Sequence, residues 1–149
     1  MANWGEFTQA EPEMAKVLTT SLDWIPITYL ATVRKAGAPR LHPVCPIIGD
    51  GRMFVAVNET SPKRHDLKRD RRYAMHSLPG KRDEEFYITG NVTFIEDQKT
   101  RDLITKSAGH TVHESDWLFE FDIEHAMTAH WEKQGQPDTY AVRRFWHSP

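Results

Sequence analysis

The chain has 149 residues, 39% of them hydrophobic and 27% charged, with a net charge of −2. That is enough chain for one domain, residues 1–149, with a buried core, and the composition excludes wholesale disorder. The balance of charge argues against a dedicated nucleic-acid binder, which usually carries basic charge over a whole face. Cys45 is the single cysteine. No internal disulfide is possible, and a reducing, cytoplasmic setting is expected. The opening residues MANWGEFTQAEPEM lack the basic and apolar regions of a signal peptide. No apolar run approaches the roughly 18 residues of a membrane span.

In chain order, Glu11 to Leu22 reads as a helix, with Met14, Val17, Leu18 and Leu22 at helical spacing. ITYLATV, Ile27 to Val33, alternates as a strand, and Ile27, Tyr29, Ala31 and Val33 form its more apolar face. A turn at Gly37 follows. RLHPVCPII, Arg40 to Ile48, lacks two backbone donors at Pro43 and Pro46, so it must be an edge strand or bulged. GDG, Gly49 to Gly51, signals a tight hairpin. MFVAV, Met53 to Val57, is apolar throughout and reads as a strand buried on both faces. RYAMHSL is a further strand, and Glu84 to Asp97 a long one. In the latter, Gly90 marks a bulge or a close approach by another group. Asp97 caps a helix over DQKTRDLITKSA. Trp117 to Trp131 alternates as another long strand, and TYAVRRFW is the last. Strands outnumber helices and no βα repeat is present. The pattern predicts an antiparallel barrel with a few helices outside it.

Between Ser61 and Tyr73 lie six cations: Lys63, Arg64, Lys68, Arg69, Arg71 and Arg72. With Asp66 and Asp70 this stretch carries +4, and the rest of the chain sums to −6. Ser61 followed by Pro62 signals a helix start, with serine as N-cap and proline at the first helical position. Leu67 is expected to face the core. Asp66 and Asp70 are placed to pair with neighbouring cations, at about 0.3–0.5 kcal/mol per pair. Lys63 falls in the first turn, where unpaired N–H groups favour an anion. With the Ser61 hydroxyl it would suit a phosphate monoester. The same spacing also fits a capped helix with an ordinary surface lysine. The other five cations read as a solvated surface.

The ordered set of pieces adds weight. ATVRKAGAPR leads to LHPVCPI, then a glycine hairpin, then MFVAV, then N-x-x-S-x-K-x-x-x-L. From about Ile27 to Asp97 this resembles the flavin-binding split-barrel family, the relatives of pyridoxamine 5′-phosphate oxidase. The resemblance implies a mainly β fold: an antiparallel split β-barrel of six or more strands with a few peripheral helices. It implies an FMN cofactor at a homodimer interface. Ser61 and Lys63 match the family's phosphate-binding hydroxyl and lysine. Val57 and Asn58 match residues beside the flavin ring and ribityl chain. The backbone around His42, Pro43 and Val44 matches the strand that meets the ring edge. Arg40 matches a phosphate-binding arginine, to within one residue of register. Trp131 loosely matches a late tryptophan, and Arg143 or Arg144 a late arginine.

Departures are visible too. Pro62 stands where an arginine often precedes the family lysine. CPII and TYAVRRFW lack the lysine and the Arg-x-His set that hold the oxidase's substrate phosphate, so pyridoxamine phosphate is not the expected substrate. The implied activity is an FMN-dependent oxidoreductase acting on a small molecule, with no side-chain acid or base required. Non-catalytic members, and members that bind deazaflavin or haem, are the alternative. A nucleic-acid-binding β-barrel ranks below both, because only Tyr73 interrupts the basic cluster. Among the eight histidines, HTVH and HAMTAH do not have zinc-site spacing, and no metal is expected. His125 and His130 are expected on opposite faces of their strand. Cys45 reads as a small core residue rather than a nucleophile.

Overall fold

The computed structural model describes residues 1–149. It opens with a helix that hydrophobic spacing did not announce, α1 (Trp4–Ala10). A reciprocal capping box starts it: Glu6 N–H donates to Asn3 Oδ1 at 2.9 Å, and Asn3 N–H to Glu6 Oε2 at 2.8 Å. The expected second helix, α2 (Pro12–Trp24), begins on a proline at its first position and buries Met14, Ala15 and Leu18.

Eight strands follow: β1 (Thr28–Val33), β2 (Pro39–Val44), β3 (Ile47–Gly49), β4 (Arg52–Val57), β5 (Arg72–Ser77), β6 (Glu85–Ile95), β7 (Trp117–Glu132) and β8 (Tyr140–His147). Helix α3 (Lys63–Arg69) precedes β5, and α4 (Gln98–Ser107) follows β6. As expected, Asp97 caps α4, accepting from Thr100 N–H at 2.9 Å. All strand pairs are antiparallel. The order is β2-β1-β5-β6-β7-β4-β3, with β8 added to β7.

Closure follows from chain length. β2 and β3 stand at opposite ends of that order. Only Cys45 and Pro46 join them, a span of ~11 Å at most. The sheet therefore curls until its edges face each other across a seam. β2 is an edge strand, as its proline requires, but the expected strand Arg40 to Ile48 does not run through: the chain breaks at Pro46 and starts the opposite edge. The barrel also divides along β7. Its first residues, Trp117 to Glu120, pair with β4, and its last, His125 to Glu132, with β8. Gly90 lies at the bulge where β6 follows this change, and a Cβ there would lie 1.9 Å from the Asp122 carbonyl oxygen. The β3–β4 turn puts Asp50 and Gly51 at φ 54° and 67°, the paired positive φ of a type I′ hairpin.

β4 is buried on both sides. Met53, Val55 and Val57 join the main core, and Phe54 joins a second cluster with Ile47, Ile95, Ile104 and Leu118 beneath α4. On β1 the more apolar face is not the buried one. Thr28, Leu30 and Thr32 point inward, while Tyr29 is 42% exposed. The Thr32 hydroxyl explains part of the reversal, because it has a buried carboxylate to bond, Asp66. The apolar face of β1 instead joins a row across the barrel exterior. Cross-strand registers align Pro43, Tyr29, His76, Tyr87, Met127 and Phe145, from β2 to β8.

Candidate functional site

A cleft of about 360 Å³ opens at the seam. Pro43, Val44 and Cys45 form the β2 side, Ala56 and Asn58 the β4 side, and Ile27, Lys63 and His110 complete the lining. One flank of β2 has no strand partner, which leaves main-chain groups there free for a ligand.

Ser61 does not cap α3. The helix starts one residue later than expected, after Pro62, with no side-chain cap. The Ser61 hydroxyl instead accepts from Lys63 Nζ at 3.0 Å. The serine and the lysine therefore meet directly. With seven residues, α3 adds little macrodipole, so anion attraction at this point rests on side chains.

Lys63 is half-buried and makes no ion pair. Burial, then the nearby Arg40 charge, push its pKa below the ordinary lysine value. Arg40 donates from Nε to Asp66 Oδ2 at 2.6 Å, and its two terminal nitrogens have no partner in the chain. His42 feels both charges. Its pKa is lowered by burial first, then by Lys63 and Arg40, so the imidazole is neutral at pH 7. Its Nδ1 is buried without a partner. A lysine without a carboxylate, an arginine fork left open and an orphaned imidazole nitrogen together fit a bound phosphate.

The remaining sequence candidates sort cleanly. Arg40, His42 and Val44 share the inward face of β2, opposite Thr32, Leu30 and Thr28. Pro43 is on the outward face and borders the cleft. Val57 is fully buried in the core, so on β4 the side chain facing the cleft is that of Ala56. Asn58 shapes the turn: its Oδ1 accepts from Thr60 N–H and Oγ1 at 2.9 and 2.7 Å. Trp131 is not brought to this cleft. Trp117 pairs directly with Val57, and Trp131 lies fourteen residues further along β7, roughly 45 Å of strand contour. Within one chain it does not line the cleft. Arg144 pairs with Glu11 of the helical layer.

The other five cations are not simply solvated. Arg69 joins Arg40 on Asp66, which is only 3% exposed. Arg64 and Lys68 cover the Trp117 ring, at 5.3 and 5.1 Å from its centroid. Arg71 donates to the Val92 carbonyl at 2.8 Å. Arg72 pairs with Asp70 at 2.6 Å on the surface.

Sequence reasoning missed Asp66 as a buried group, and it missed His110. Asp66 had a faint signal in its place beside Leu67, on the inward side of a short helix. His110 had none, because it reaches the cleft from an irregular loop. That loop is braced by Arg101 Nη2, which donates to the carbonyls of Glu114 and Asp116 at 3.1 and 2.8 Å. His113 N–H donates to Asp116 Oδ2 at 2.9 Å. Val112 packs onto the second core cluster. No group of three or more metal-ligating side chains is present, and no helix is long and apolar enough to cross a membrane.

No protein-family model and no curated protein matches the sequence. Solved structures do match in fold. A haem-binding protein from Mycobacterium smegmatis aligns with TM-score 0.63 and 13% identity over 87% of this chain, and this chain spans 56% of that one. PhzG from Burkholderia lata, solved with tetrahydrophenazine-1-carboxylic acid, aligns with TM-score 0.60 and 11% identity over 93% of this chain and 91% of that one. A candidate pyridoxamine 5′-phosphate oxidase from Listeria innocua aligns with TM-score 0.58 and 14% identity over 76% and 94%. At such identities the likeness establishes the fold: the split barrel of the pyridoxamine 5′-phosphate oxidase-like proteins.

Proposed function

We propose that this split barrel binds FMN in the seam cleft and works as a small oxidoreductase, as a homodimer with the cofactor near the interface. The observation that carries the reading is Lys63, a half-buried cation with no carboxylate partner, bonded to Ser61 and close to the open Arg40 fork. Desolvating a cation without a counter-charge is costly, and a phosphate supplies one. The cleft volume falls within the usual 300–1,000 Å³ of a small-ligand site.

When bound, the flavin supplies hydride or electron transfer. The chain supplies the rest. Ser61, Lys63 and Arg40 hold the phosphate. The unpaired flank of β2 offers main-chain groups to the ring. Ala56 gives a small wall, and His110 presents an imidazole at the rim. None of this requires a side-chain acid or base.

The exterior row argues for the dimer. Tyr29 and Phe145 are 42% and 64% exposed, in line with Pro43, Tyr87 and Met127. An apolar band of this kind on a barrel exterior marks an interaction surface. Pro43 belongs both to this band and to the cleft, so a second copy seated on the band borders the cofactor. Trp131 and Arg143 of this chain would then serve the partner's cleft. A single cysteine suits a reducing compartment such as the cytoplasm.

The visible spectrum of the purified protein, alone and with added FMN, tests this reading. Flavin bands and a preference for FMN over riboflavin are expected. A Soret band would favour a second reading, haem binding, for which His110 and the orphaned His42 nitrogen are candidate ligands. Failure to bind FMN at all would overturn the first reading.

A further inference from the structure

We infer that Asp66 is a positioning residue: it clamps Arg40 by its side so that the open end of the guanidinium meets the bound phosphate. This rests on the reading that the cleft holds a phosphate monoester. Asp66 does not itself line the cleft. Both of its oxygens are committed to donors from three elements. Oδ2 accepts from Arg40 Nε at 2.6 Å and from Thr32 Oγ1 at 3.0 Å. Oδ1 accepts from Arg69 Nη2 at 3.2 Å. Arg69 is fixed in turn by the Val33 carbonyl at 2.7 Å. The carboxylate thus ties β1, β2 and α3 together at one point.

Which nitrogen of Arg40 is bound decides the matter. A carboxylate met fork to fork would take both terminal nitrogens and leave nothing for a ligand. Here only Nε is taken, and the two terminal NH2 groups remain a planar pair of donors, the geometry that reads phosphate bidentately. Arg40 sits on an edge strand, 20% exposed at its side chain, and without the clamp its long chain would keep its rotamer freedom. Arg40, Arg69 and Lys63 set three cations against one carboxylate, so the corner stays attractive to an anion although Asp66 is ionised.

Two accounts of Asp66 make opposite predictions. If it acted only through its charge, it would repel the phosphate, and Asp66→Asn would tighten FMN. If it positions Arg40, Asp66→Asn loosens FMN. The experiment measures FMN and riboflavin affinities, by quenching of flavin fluorescence, for the wild type, Asp66→Asn, Arg40→Ala and the double variant. We expect Asp66→Asn to weaken FMN at least fivefold while riboflavin stays within twofold. In the Arg40→Ala background Asp66→Asn should change neither affinity. An unchanged or tighter FMN complex, or an equal loss with and without Arg40, overturns the inference. So does a wild type that binds FMN and riboflavin alike, and that result also removes the phosphate reading. Should Asp66→Asn fail to fold, Arg40→Lys serves instead. It keeps the charge but lacks both Nε and the fork, and an FMN affinity equal to wild type would overturn the proposal.

Discussion

Lys63 and Lys68 belong to one short helix and meet opposite surroundings. The Lys68 ammonium lies 4.5 Å from the Phe94 centroid and 5.1 Å from that of Trp117, its charge spread over two rings. Lys63 has one neutral hydroxyl and a second cation, Arg40, for company. The same division separates the acids: Asp66 is buried among three donors, and Asp70 is paired with Arg72 at the surface. A count of six cations therefore says little about function. What matters is which of them the fold leaves without a partner.

The buried acid gives the largest expected contrast. Removing one partner of a buried ion pair strands the others, and Asp66→Ala should cost about 3 kcal/mol, at the low end because the Arg69 side chain is 37% exposed. Urea unfolding measures it. Asp70→Ala should cost no more than about 1 kcal/mol, because its pair with Arg72 lies at the surface, and equal losses in the two variants would erase the distinction. Acid titration reads Asp66 through its pKa but does not separate the two acids, since the Arg72 side chain also holds Asp70 down to about 2. Burial alone would raise the Asp66 pKa, but hydrogen bonds from Arg40, Thr32 and Arg69 outweigh it and lower the pKa below 3.8. The folded state then holds fewer protons than the unfolded state, so this stability is present above 3.8 and is lost as pH falls through the folded value.

Next in size is the phosphate anchor. A charge-assisted contact is worth about 1.5–3 kcal/mol, so Lys63→Ala should weaken FMN by about 10- to 150-fold. Lys68→Ala should leave FMN affinity unchanged. If the two variants lose affinity equally, diffuse charge rather than one placed lysine draws the ligand.

A smaller effect concerns His42. Its folded pKa is lowered from 6.5, by burial first and then by Lys63 and Arg40. Protonation therefore favours the unfolded state, and stability falls as pH drops through 6.5. A bound anion reverses that cost. Sulfate, dianionic across the range, should raise the melting temperature more at about pH 5.5 than at about pH 7.5. His42→Gln should remove the difference, while His65→Gln, on the aromatic side of α3, should not.

How much of this was legible in the sequence depended on the range of the interaction. The hairpin at Asp50 and Gly51, the Asp97 cap and the bulge at Gly90 are encoded by residues close in the chain, and each was found where expected. The edge placement of β2 followed from Pro43 and Pro46, because a missing donor cannot sit in mid-sheet. The facing of β1 did not, because alternation sees apolarity and not the buried Asp66 that Thr32 bonds, 34 positions away. The exposed apolar face of β1 makes sense only against a partner, which one chain's pattern cannot display. In the candidate site, the meeting of Ser61 and Lys63 was readable from spacing. Ala56 in place of Val57 turned on strand facing, and His110 on a loop held by tertiary bonds.

The smallest effect tests the other side of α3. A partly exposed cation over an aromatic ring is worth about 0.5–1 kcal/mol, so Lys68→Ala should lower stability by that amount. Two causes contribute, because the lysine stem also shields Phe94 and Trp117 from water. Lys68→Met separates them: it keeps an unbranched chain over the rings and removes the charge. If charge over the rings matters, Met should recover only part of the alanine loss in urea unfolding. Full recovery would make Lys68 a greasy cover whose charge is incidental. In either case FMN affinity should not move, since the Lys68 charge is directed at Phe94 and Trp117, and only Lys63 lines the cleft.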